Sequence, residues 1–136
     1  MLTPSLDTIR LFLHVLAAAV WVGGQVTVAG LLPTLRRLGP DAPRLVARAF
    51  SRVAWPALFV LVVTGVWNVF EVDMGSTDTS YNVTLGIKVL LVVAVGLSAW
   101  AHGVTSNRKV LAATGALGGL GSLVVLFLGV LLAHSG

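Results

Sequence analysis

NVTLGIKVLLVVAVGLSAWAHGVTSN, residues 82–107, is a run of 26 residues carrying a single formal charge, Lys88. It is long enough to cross a bilayer as one helix, since the hydrocarbon core takes about 20 apolar residues. A charged side chain at that depth costs roughly 2.5–3.5 kcal/mol on insertion scales, so Lys88 reads first as a functional group. Three more runs of the same kind surround it. Residues 11–35, 53–70 and 110–136 carry no formal charge over 25, 18 and 27 residues. The chain of 136 residues is 57% hydrophobic and only 10% charged, where a soluble domain carries about 25% charge. Its mean hydropathy is +0.96.

These runs predict an all-α fold, an integral membrane four-helix transmembrane bundle forming one domain over 1–136. The spans fall at about 6–33, 53–71, 81–104 and 110–134. Charge sets the expected orientation. Arg36, Arg37, Arg44, Arg48 and Arg52 lie between spans one and two, and Arg108 and Lys109 between spans three and four. Glu71, Asp73 and Asp78 lie between spans two and three. Basic residues concentrated in alternate loops follow the positive-inside pattern, which places the basic loops in the cytoplasm and both termini extracytoplasmic. The expected location is the cytoplasmic membrane of a prokaryote. Because the net charge of +4 is confined to loops, it points to the lipid bilayer as partner and not to nucleic acid. Span one is expected to be retained and not cleaved as a leader, since it runs well past Ala17–Ala19 and is preceded by Arg10 and Asp7, not by a basic segment. The absence of cysteine excludes disulfides, thiolate metal sites and Cys-X-X-Cys redox chemistry.

Thr3, Pro4 and Ser5 read as a helix start, and span one is expected to end near Pro33. Residues 44–52 read as a short amphipathic helix leading into span two, with Arg44, Arg48 and Arg52 on one face. That face suits anionic lipid, or a phosphate or propionate clamp. Gly115/Gly119 and Gly118/Ser122 in span four are small-xxx-small pairs, suited to close packing within the bundle or between protomers of a homodimer. Asn82-Val83-Thr84 matches a glycosylation sequon but abuts a span, and is read as coincidental.

The polar groups inside the spans form a pattern in depth. His14 and Lys88 each lie roughly 10–12 Å below the outer start of their helices. Thr64, Trp67 and Asn68 close span two on the same side, and His134 closes span four there. His102 follows Lys88 on nearly the same face about 21 Å further along, and reads as structural or solvated. On span one, Ala18, Trp21 and Gln25 continue the stripe that begins at His14. The stripe can be a packing face, or it can leave room for a flat ligand. His14 and Lys88 are the candidate catalytic residues. His14, Trp21, Thr64, Asn68, Lys88 and His134 are the candidate cofactor-binding set, and His14 and His134 the candidate metal ligands.

Three stretches carry a family resemblance. HVLAAAVWVGG (14–24) with LLPTLRR (31–37), FSRVAWPALFVLVVTGVWN (50–68) and LGIKVLLVVAVGL (85–97) resemble, in order, the first three spans of copper-resistance D (CopD) domain proteins. The layout also resembles HemJ-type protoporphyrinogen oxidases, whose functional first-span histidine and third-span lysine map onto His14 and Lys88, with Arg52 and Pro56 matching an arginine ahead of a proline. It departs from that second family in QVTVAG (25–30), which replaces an aromatic stretch, and in a late histidine cluster reduced to His102. The resemblance implies a haem b-binding membrane protein with a redox or haem/copper-handling role, and as an enzyme a haem-dependent oxidoreductase. The alternative it implies is a copper uptake or transport protein with copper as its ion. Cu(I) prefers thiolate and thioether ligands, and only Met1 and Met74 supply sulfur here. A third reading is a non-catalytic subunit of a larger membrane complex.

Overall fold

The computed structural model describes residues 1–135. Its helices are α1 (Leu6–Ala18), a π-helical turn (Ala19–Gly23), α2 (Gly24–Leu38), α3 (Ala42–Glu71), α4 (Thr79–Val104) and α5 (Arg108–Ser135). Among the described residues there is no strand. Since α1, the π turn and α2 run on without a break, four helical rods are long and apolar enough to cross a membrane: Leu6–Leu38, Ala42–Glu71, Thr79–Val104 and Arg108–Ser135. The chain is an all-α membrane protein. Its contacts divide it into two compact units, Met1–Val72 and Asp73–Gly136.

In the first unit, α1 and α2 pack on α3. Ser5 starts α1 with a capping box. Its hydroxyl accepts from the Thr8 amide at 3.2 Å, and Thr8 Oγ1 accepts from the Ser5 amide at 3.3 Å. This satisfies two of the donors that a helix start leaves over. Span one does not end near Pro33. Helix α2 continues to Leu38 with Pro33 inside it, and stops at Gly39, whose φ of +145° suits only glycine. Pro33 removes its own amide from the ladder and crowds the carbonyl four residues earlier, yet the helix runs on through it, and Arg36 and Arg37 in the last turn favour the negative helix end.

The π turn also has identifiable supports. Thr27 Oγ1 donates to the Gly23 carbonyl at 2.7 Å and Gln25 Nε2 to the Trp21 carbonyl at 3.1 Å. Phe50 of α3 lies so close to Gly24 that any β-carbon there would overlap its ring. Residues 44–52 are not a separate helix but the first third of α3, which at about 1.5 Å per residue is some 45 Å long and exceeds the hydrocarbon thickness. Arg44, Arg48 and Arg52 are all exposed.

The second unit is the α4–α5 hairpin. Asp78 caps α4 by accepting from the Tyr81 amide at 2.7 Å. The Asn82 side chain is held by the preceding loop, accepting from Thr77 Oγ1 at 2.6 Å and donating to the Met74 carbonyl at 3.2 Å. Asn107 Oδ1 accepts from the Lys109 amide at 2.9 Å and starts α5. The seam follows a seven-residue ladder on α4. Lys88, Val95 and His102 face Gly129, Gly121 and Gly115 respectively, where a β-carbon would stand 3.2, 2.8 and 3.1 Å from their nearest side-chain atoms. Gly118 and Ser122 are buried, whereas a β-carbon at Gly119 would meet nothing within 4 Å.

This seam yields a paired prediction. In a helix, alanine is favoured over glycine by up to about 1 kcal/mol. Gly119→Ala should therefore leave thermal stability in detergent unchanged or slightly raised. Gly121→Ala drives a methyl into Val95 and should lower stability by about 1–3 kcal/mol. Unfolding followed by circular dichroism checks the pair.

Candidate functional site

His14 sits in the middle of α1 and is half-buried. Its Nδ1 lies 2.9 Å from Thr64 Oγ1 on α3. Thr64 is 3% exposed, and its hydroxyl lies 2.7 Å from the Val60 carbonyl and 3.2 Å from that of Leu61. With the Thr64 hydroxyl proton on the Val60 carbonyl, Oγ1 is left to accept from a His14 Nδ1–H, the direction of that bond following the imidazole tautomer. Gly65 stands beside the ring, and a β-carbon there would be 3.4 Å from His14 Cε1.

The other first-unit candidates extend this stripe along both helices. Trp21 is 6% exposed, and its ring meets Trp55 of α3 edge-on with centroids 6.3 Å apart. Asn68 is one turn beyond Thr64, and its Oδ1 is buried with no hydrogen-bond partner. Lys88 and His134 belong to the second unit. The Lys88 chain is half-buried, with Nζ over the bare backbone of Gly129. His134 is exposed in the last turn of α5. His102 is held structurally, with Nδ1 3.0 Å from the Leu111 carbonyl and 3.1 Å from Thr114 Oγ1. Among the described residues no group of three or more His, Cys, Asp or Glu side chains gathers as a metal cage.

One residue of this region escaped the reading of the sequence. Arg10 is four residues before His14 on α1 and is only 9% exposed. Its Nη1 stands 3.1 Å from Asp7 Oδ1 and 3.7 Å from Glu71 Oε1, and its guanidinium carbon is 5.7 Å from the centre of the Trp67 ring. Trp67 Nε1 in turn donates to Glu71 Oε1 at 3.2 Å. The i−4 spacing from His14 was the available signal, since it places both side chains on one helix face.

The fold and these buried polar groups define an integral membrane protein with a polar stripe inside its first helix pair. The chain belongs to the copper resistance protein D (CopD) family, whose profile matches residues 44–135, about two thirds of its length. The match takes in span four, which the resemblance left aside, and leaves out residues 1–43, which hold Arg10, His14 and Trp21. No curated protein and no solved structure matches the chain.

Proposed function

We propose that this CopD-family protein binds haem b, with His14 Nε2 as axial ligand, and serves a redox or haem/copper-handling role in the cytoplasmic membrane of a prokaryote. The observation that carries the reading is the relay from His14 Nδ1–H to Thr64 Oγ1 to the Val60 carbonyl. Metal-ligating histidines characteristically donate their second ring N–H to a fixed acceptor, which sets the tautomer and orients the ring. The donor set suits a porphyrin better than a bare ion. A tetrapyrrole brings four nitrogens and asks the protein for one or two ligands. Copper held by protein alone needs several, and this chain offers three histidines and no cysteine.

When bound, haem would supply a one-electron couple at iron, as an oxidoreductase of this kind requires. His14 would hold the iron and Thr64 the imidazole proton. Trp21 and Asn68 would line the pocket. Both termini would be extracytoplasmic and the basic loops cytoplasmic, with homodimerisation or a larger complex as the assembled state.

Absorption spectra of the detergent-purified protein from haem-replete cells, oxidised and reduced, test the reading. A Soret band with a reduced-state shift is expected, and a colourless preparation would overturn it. The family's description, copper resistance, supports a second reading in which the protein handles copper, taken here as uptake. On that reading, cells expressing the protein accumulate more copper than cells expressing the His14→Ala variant, whereas the haem reading expects no difference.

A further inference from the structure

We infer that Arg10 is a carboxylate-binding residue of the His14 site, receiving an acid group of the bound tetrapyrrole; this rests on the haem reading above. Burying a guanidinium is costly unless its N–H groups find acceptors. Here they do not. Nε and Nη1 of Arg10 are both buried without a hydrogen-bond partner. Nη1 is within ion-pair range of Asp7 and Glu71, but neither carboxylate accepts a hydrogen bond from it. Those two side chains are largely exposed, so they offset the charge from the solvent side without satisfying the donors. Trp67 covers another side of the guanidinium and anchors Glu71.

The unmet capacity lies where a ligand of His14 would reach. Arg10 is one turn, roughly 6 Å, from His14 along α1. Asn68, with its own unpartnered buried Oδ1, is one turn from Thr64 along α3. Arg10 approaches Trp67 and Glu71 just as His14 approaches Thr64, so this second polar layer lies directly beyond the first. A planar anion is the partner that guanidinium geometry favours. Haem b carries two propionates on one edge of its ring, and each is such an anion.

The test compares haem b with its dimethyl ester, in which both acid groups are masked. The full-length protein in detergent is titrated with each porphyrin and followed at the Soret band. Wild-type protein is expected to bind haem b about tenfold or more tightly than the diester, as for a charge-assisted hydrogen bond. Arg10→Gln should bind both alike while keeping the same ligated Soret position, and Arg10→Lys should keep part of the preference. Equal wild-type affinities overturn the inference without any variant having to fold, as does an Arg10→Gln protein that still prefers the free acid. A Soret band without discrimination removes this inference alone. No band with either porphyrin removes it together with the haem reading.

Discussion

His14→Ala protein, purified beside wild type from haem-replete cells, is expected to lose the Soret band entirely. Alanine removes the one side chain that combines a metal-binding lone pair with a fixed orientation in the first helix pair. What remains there cannot replace it. Thr64 Oγ1 has its proton directed to Val60, and a hydroxyl is a poor ligand to haem iron. Trp21 carries only a donor N–H. Loss of the ring leaves a half-buried space beside Gly65, so the variant should still fold, and unchanged helical content by circular dichroism separates loss of ligand from loss of structure. A His14→Ala protein that retains a full Soret band would place the iron elsewhere, and the proposed site would fall with it.

Thr64→Val should give the second largest effect, a fall of roughly 10- to 100-fold in haem affinity with the band still present at saturation. Valine preserves the shape of threonine and removes the acceptor for His14 Nδ1–H. That proton then lacks its partner, and the ring can rotate or change tautomer. Thr64→Ser keeps the hydroxyl and should stay within a few-fold of wild type. Haem titration of the three proteins separates orientation from packing, because only the oxygen distinguishes valine from the other two in hydrogen bonding.

The fold was legible in the sequence for a simple reason. Each span is an apolar run of about the length the hydrocarbon core takes, or longer, and polar residues separate the runs. The Ser5 start and the passage of residues 44–52 into span two were equally readable. Pro33 misled because proline is a strong stop in soluble helices but is tolerated in a spanning helix, where neighbouring groups can satisfy the backbone it frees.

The site was legible in part. Depth counting put His14 and Thr64 at one level, and they meet at 2.9 Å. Arg10 was missed because it lies just before an apolar run and was counted with Asp7 as flanking charge. Only the fold shows that Glu71 and Trp67, sixty residues away, bury it. The π turn was invisible because a helical wheel assumes one constant period. His102 was readable as a structural residue, but its seat over Gly115 required the hairpin register.

The π turn at Ala19–Gly23 inserts one residue into what would otherwise be a regular α-helical rod. It works as a phase joint. The segment above it aims Arg10 and His14 at α3, and the segment below sets Gly24 beneath Phe50 by an independent angle. Winding the same five residues as regular α-helix, with none removed, would swing one segment against the other. Either His14 or Gly24 would then lose its partner on α3, so the winding of this stretch, as much as its composition, governs how the first helix pair fits together.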